Sequence, residues 1–139
     1  MRRVTDCIFC AIAAGEAPAE ILDSDEHTVA FMDINPATAG HALVIPRRHS
    51  ADLMEIPDDD LERTTVAARR LAERMRETLH PDGFNVINAC GTAAWQTVFH
   101  FHLHVVPRFE TDPLELPWIP TPGDPQEIAA TARAIRGDG

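Results

Sequence analysis

Val98-Phe99-His100-Phe101-His102-Leu103-His104-Val105-Val106 is the stretch on which the reading of this chain turns. Histidine and apolar residue alternate without a fault: His100, His102 and His104 share one parity, and Phe99, Phe101, Leu103 and Val105 the other. A period of two predicts a β-strand, since successive side chains on a strand point to opposite faces. β-branched and aromatic residues at the apolar positions agree with it, and Pro107 is expected to stop the run. On such a strand same-face side chains recur about every 6.6 Å, so the three imidazoles would form a row over about 13 Å. The apolar face must then be buried. A lone histidine on a strand is usually a satisfied polar residue, but three in strict alternation need a chemical reason. Same-face histidines can share one metal ion. Alternatively, one neutral imidazole attacks an electrophile while its neighbours fix its tautomer and the surrounding charge.

Composition narrows the partners. The 139 residues carry a net charge of −10 with only 12 Lys plus Arg, so the surface should repel phosphate backbones, and nucleic acid is not an expected partner. A bound phosphate would have to be held locally, by backbone N–H groups and imidazolium. An apolar content of 45% is that of a globular domain, and no apolar run approaches the ~18 residues of a membrane span. Met1 to Cys7 does not lead into the apolar segment of a secretory leader. The expectation is a cytoplasmic protein forming one domain over residues 1–139, with no membrane partner.

Upstream of the histidines, Cys7-Ile-Phe-Cys10 opens a short helix over residues 7 to 14, ended by Gly15. A Cys-x-x-Cys pair in a reducing compartment reads as zinc or redox chemistry, and alone it is half a zinc site. Cys90 reads as small filler. Glu20 to Asp23 and His27 to Asp33 read as a hairpin turning at Ser24-Asp25, and His41 to Pro46 as a further strand. The spacing of Leu61, Thr65, Ala68, Leu71, Met75 and Leu79 predicts a helix over 58–79. Phe84 to Asn88 is a strand, and Ala89 to Trp95 a loop into the histidines. From about residue 110 a proline-rich extension carries Trp118 among Pro113, Pro117, Pro120 and Pro122, and Asp124-Pro125 caps a last helix bearing Ile128, Ala132 and Ile135. The order gives an α+β domain: a small antiparallel sheet with helices packed on one face.

Gln96-Thr97-Val-Phe-His-Phe-His-Leu-His-Val-Val106 resembles the histidine triad superfamily, whose signature alternates three histidines with apolar residues. Phe31-Met-Asp-Ile34 and Gly40-His-Ala-Leu-Val-Ile-Pro-Arg-Arg-His49 resemble the nucleotide-binding segments of its Hint-type branch, so the likeness runs from Cys7 to Arg108. The resemblance implies a nucleotide hydrolase or transferase acting on the α-phosphate of a purine nucleoside 5′-phosphate derivative, of the phosphoramidate type, and releasing AMP. It implies His102 as the nucleophile that becomes nucleotidylated. His104, His41, Asn88, Gln96 and Thr97 match phosphate-side positions, Asp33 the residue binding the ribose hydroxyls, and Phe31 and Ile34 the base pocket. As in the bacterial zinc-containing form, it implies a structural Zn²⁺ held by Cys7, Cys10, His49 and His100, and a homodimer joining two sheets across a two-fold axis. Near alternatives are a diadenosine polyphosphate hydrolase or phosphorylase, and a nucleotide-binding sensor or scaffold with incidental turnover. The family commonly has glycine before the Gln-Ser/Thr pair, where this chain has Trp95.

Overall fold

The computed structural model describes residues 6 to 138. Residues 1–5, on which the reading of the N-terminus partly rests, lie outside the described residues. Three helices and five strands follow in the order α1 (Ile8–Ala13), β1 (Ile21–Ser24), β2 (Thr28–Met32), β3 (Ala42–Pro46), α2 (Asp58–Leu79), β4 (Gly83–Ile87), β5 (Leu103–Arg108), α3 (Pro125–Arg136). The strands form one antiparallel sheet in the order β1-β2-β3-β5-β4, which makes the fold α+β. Among the described residues no helix is long and apolar enough to cross a membrane.

Every residue of β3 is buried, so both faces of the sheet are covered at its centre. Ala30, Ala42, Val44, Leu103 and Val105 pack with Ala67, Ala68, Leu71 and Met75 of α2. The opposite parity, Val29, Phe31, Leu43 and Ile45, packs with Cys7, Phe9 and Cys10 around α1. The long helix thus takes one face as expected, while the short α1 takes the other. Leu43 stands opposite His104 in the ladder, so the histidine parity belongs to the α1 face.

The histidine strand is shorter than its alternation suggests. It starts at Leu103, and the segment before it leaves the ladder. Continuing the register that sets Val44 against Leu103 would bring Pro46 against Phe101. Proline has no N–H to extend the ladder. Its carbonyl is taken instead by His100 Nε2 at 2.8 Å, and the Phe101 N–H goes to the Ser50 carbonyl at 2.7 Å. Phe101, Leu103 and Val105 are buried as the apolar parity requires, whereas Phe99, outside the strand, is partly exposed. At the other end the strand runs through Pro107 to Arg108 instead of stopping. The Pro107 carbonyl accepts from the Thr38 hydroxyl at 2.7 Å, on a side where β3 has already ended, so its missing N–H leaves no ladder partner unpaired.

Helix α2 spans the expected residues, but its buried stripe includes Thr64 and Ala67, while Thr65 and Leu79 lie exposed. The Thr64 hydroxyl donates back to the Asp60 carbonyl at 2.6 Å, which lets a polar residue sit in the core. The helix ends at His80 in the left-handed conformation. Gly40, just before β3, has φ +97°, and a Cβ there would meet Leu79 Cδ1 at 2.6 Å and Pro107 Cγ at 3.0 Å, so glycine alone suits this turn. Helix α3 is capped by the Asp124 side chain as expected, and its Ile128 and Ile135 are exposed, as is Trp118 in the extension.

Candidate functional site

Two clusters of chemistry-bearing side chains lie on the α1 face, and the segment 98–104 feeds both. The first is built from the N-terminus of α1. Cys7 caps that helix, its Sγ accepting from the Cys10 N–H at 3.4 Å, so the Cys-x-x-Cys spacing turns both sulfurs to one side. His49 follows β3, and His100 precedes β5. Cys7 Sγ and Cys10 Sγ each lie 3.4 Å from His100 Nδ1, while Cys10 Sγ and His100 Nδ1 each lie 3.3 Å from His49 Nδ1. All four donor atoms fall within 4.8 Å of one another, a set able to hold one metal ion. His100 is fully buried, and its Nε2–H donates to the Pro46 carbonyl, which leaves the lone pair on Nδ1 facing the cluster. Burial, foremost, pushes the His100 pKa down to about 4.

The second cluster holds the other two histidines of the motif. His102 Nδ1–H donates to the His100 carbonyl at 2.7 Å, so the free lone pair sits on Nε2. The Ala37 N–H donates to His41 Nδ1 at 2.9 Å, which puts the His41 proton on Nε2. That N–H reaches His104 Nδ1 at 3.0 Å, and it lies 3.4 Å from Asp33 Oδ2. His104 therefore carries its own proton on Nε2. These bonds assign the tautomers, that of His102 from a backbone carbonyl and those of His41 and His104 from a backbone N–H outward. Burial lowers the pKa of His41 and His102, with Asp33 opposing in both cases; burial and then the neighbouring His102 and His41 push His104 down to about 4. At neutral pH these imidazoles are uncharged.

A cavity of about 440 Å³ opens between α1 and the sheet. Its polar lining is His102, His104, Thr97, Asp33 and Asn35; the rest is apolar and includes the buried Phe9, Phe31 and Leu43 and the exposed Ile34. Such a volume with a few converging polar groups is that of a small-molecule site.

Phe31, Asp33, Ile34, Thr97, His102 and His104 all line this cavity, and His41 stands behind His104 and Asp33. Asn88 is tied to the backbone, its Nδ2 donating to the His102 carbonyl at 3.0 Å, while its Oδ1 is buried without a hydrogen-bond partner among the described residues. Gln96 is a loop brace: it accepts from the Gly91 N–H and donates to the carbonyls of Ala51 and Val98. Arg47 and Arg48 point elsewhere, Arg47 to the carbonyls of Asp25 and Ala13 and Arg48 to Asp59 and Asp60. Sequence reading missed Phe9, whose ring meets those of His102 and Phe31 edge-on at centroid distances of 5.1 and 5.3 Å. It also missed Ile8 and Ile12, which wall the cavity from the same helix. Their signal was the apolar face of α1, which the cysteines overshadowed.

The tautomers give a spectroscopic expectation. Long-range ¹H–¹⁵N spectra at pH 7 should show His102 protonated on Nδ1, and His41 and His104 on Nε2. A His102 protonated on Nε2 would contradict the assignment.

Comparison with known proteins agrees with this geometry. The HIT domain family matches residues 14–111. The uncharacterized HIT-like protein MJ0866 of Methanocaldococcus jannaschii is 43% identical over 106 residues, which is 76% of this chain and 81% of that one. A Zn-bound histidine triad family protein from Mycobacterium smegmatis superposes with TM-score 0.78 at 42% identity, over 95% of this chain and 94% of that one. A histidine triad nucleotide-binding protein from Candida albicans superposes with TM-score 0.83 at 31% identity, over 95% and 96%. With most of its length matched by the family and by close relatives, this chain belongs to the HIT domain family.

Proposed function

We propose that this protein is a nucleotide hydrolase or transferase of the Hint-type branch, attacking the α-phosphate of adenylates of the nucleoside 5′-phosphoramidate type through His102. The observation that carries the reading is the bond from His102 Nδ1–H to the His100 carbonyl, which commits the lone pair to Nε2 in the polar lining of the cavity. In the first step Nε2 forms a bond to phosphorus as the P–N bond breaks. The departing amine keeps the electron pair of that bond and takes a proton from a water molecule held by the His104 Nε2–H. The hydroxide that remains attacks phosphorus, the bond to His102 breaks with its electron pair returning to Nε2, and AMP leaves. Negative charge that builds on the phosphoryl oxygens is met by the His104 N–H, whose ring His41 holds in place beforehand, and by Thr97 in the same cavity. Asp33 offers two carboxylate oxygens to a ribose diol, and Phe31, Ile34 and the α1 residues receive the purine. The likeness to a nucleotide-binding histidine triad protein supports the same substrate class.

The Cys7, Cys10, His49 and His100 cluster fits zinc. Four ligands around a tetrahedral zinc stand about 3.3 to 3.8 Å apart given Zn–N near ~2.0 Å and Zn–S near ~2.3 Å, and the contacts of 3.3 to 3.4 Å fall in that range. Four protein ligands close the ion off from water, so zinc there supplies stability and holds α1 against the segment before β5. We further assign the homodimer contact to the β4 edge of the sheet. Strand β4 lies at that edge and exposes Val86 and Ile87, an arrangement that an isolated protein would leave open to pairing.

Three measurements test these assignments. After a single turnover with adenosine 5′-phosphoramidate, intact mass should show an adenylyl adduct on the wild type and none on His102→Ala, whose turnover should fall roughly 10³-fold or more; equal AMP release by both would overturn the nucleophile. Metal analysis should find one zinc per chain, and chelation should lower the melting temperature by on the order of 10 °C, with Cys10→Ser losing the metal; an unmoved melting temperature would sink the structural role. Sedimentation equilibrium should give twice the 15.3 kDa chain mass, and Val86→Glu should return it to one; a monomeric wild type would rule the contact out.

A further inference from the structure

The loop that leads into Thr97 carries a residue the fold does not explain. Trp95 has φ +76° and ψ +19°, in the left-handed region; among the described residues the one other non-glycine with positive φ is His80 at the end of α2. For a bulky side chain that conformation is strained, whereas glycine adopts it freely. The backbone around it enforces the turn by itself. The Ala94 N–H donates to the Gly91 carbonyl at 3.0 Å, the Trp95 N–H to the Thr92 carbonyl at 3.0 Å, and the Gln96 N–H to the Gly91 carbonyl at 3.1 Å. The three side-chain bonds of Gln96 lock the same loop to Ala51 and Val98. Meanwhile the indole gains nothing from burial, because Trp95 is 75% exposed. Stability alone therefore favours glycine here, and the reason for a ring must lie in what meets it from solvent.

Position supplies that reason. Trp95 precedes Thr97 by two residues, a backbone span of at most about 7 Å, and Thr97 lines the same cavity as His102 and His104. A nucleotide with its base in the apolar end and its phosphate against the histidines sends its remaining phosphorus substituent out past Thr97. Residues 91 to 98, Gly-Thr-Ala-Ala-Trp-Gln-Thr-Val, contain no lysine or arginine, so this loop has no cation for a polyphosphate. Ala93 and Ala94 are small and exposed beside the ring. A flat aromatic face in that place suits another aromatic ring.

We infer that Trp95 is a specificity-determining residue whose indole forms a leaving-group subsite for substrates that release an amine bearing a planar aromatic ring; the inference rests on the nucleotidyl-transfer reading above. The chemical step is unchanged: His102 Nε2 bonds to phosphorus as the P–N bond breaks, and the arylalkyl amine departs with that electron pair and a proton from the water that His104 holds.

The test compares kcat/KM for adenosine 5′-phosphoramidate bearing 2-phenylethylamine with that for the unsubstituted compound, on wild type, Trp95→Gly, Trp95→Ala and Trp95→Phe. The ratio of the two should fall about tenfold in the glycine and alanine variants and stay within about threefold of wild type in the phenylalanine variant. The glycine variant should melt no lower than wild type, since it relieves strain. A ratio unchanged in both truncated variants would overturn the subsite while leaving nucleotidyl transfer standing. If wild type turns over neither compound, nucleotidyl transfer itself fails and the subsite falls with it.

Discussion

The ladder between β3 and β5 ends where Pro46 has no N–H to offer, and the site depends on that interruption. Had the pairing continued, residues 98 to 102 would be a flat strand, with each histidine at a fixed pleat position. Instead the segment bends away from the sheet. The His100 ring swings to the Pro46 carbonyl, and the Phe101 N–H finds Ser50. Released from the pleat, His100 joins the cysteines of α1 and His49, while His102 and His104 stay together with ring centroids 5.0 Å apart. One missing hydrogen-bond donor thus divides three equivalent-looking histidines between two clusters.

Burial then sets the chemistry. A neutral imidazole attacks phosphorus better than an imidazolium, and each histidine of the second cluster is held below its ordinary pKa first of all by loss of water. Asp33 pulls the other way, yet burial prevails. Phe9 and Phe31 contribute to that exclusion from the α1 side, where the edge of one ring meets the face of another. Helix α1 consequently has two jobs: its first turn presents the sulfurs, and its apolar face walls the cavity.

The architecture was legible because it is written in periodicity. The 3.6-residue stripe of α2 and the turn-bounded runs of β2 and β3 matched their elements, the alternation around the histidines found only the part of β5 from Leu103 onward, and Asp124 capped α3 where its side chain predicted. What escaped reading was whatever depends on neighbours distant in sequence. The alternation at 98 to 102 looked like strand because nothing local reveals that Pro46 lies across the ladder. Thr65 and Leu79 looked buried because a helical stripe is about 100° wide, and only the position of the sheet says which of its margins is covered. Residue pattern alone does not group His41 with His104 and Asp33; the family resemblance set His41 and His104 on the phosphate side, and the pairing of β3 with β5 shows the contact among all three. Gln96 and Asn88 show the remaining limit: sequence names a polar side chain near a site, but not whether its hydrogen bonds are already used on the backbone.

His100 joins the two halves of the site through different atoms. Its ring is fixed at both nitrogens, Nε2 by the Pro46 carbonyl and Nδ1 by the sulfurs and His49. Its carbonyl accepts the Nδ1–H of His102. Because ring and carbonyl belong to one residue, whatever immobilises the ring also fixes the acceptor that chooses the tautomer of His102. A rotation of His100 would loosen that bond and let the lone pair of His102 shift between its nitrogens. Asn88 restrains the carbonyl two residues on, donating to that of His102. The main chain from residue 100 to 102 is therefore held from both sides, first by a buried cluster and then by an amide, and the direction in which His102 Nε2 points follows from backbone restraint more than from contacts of its own ring.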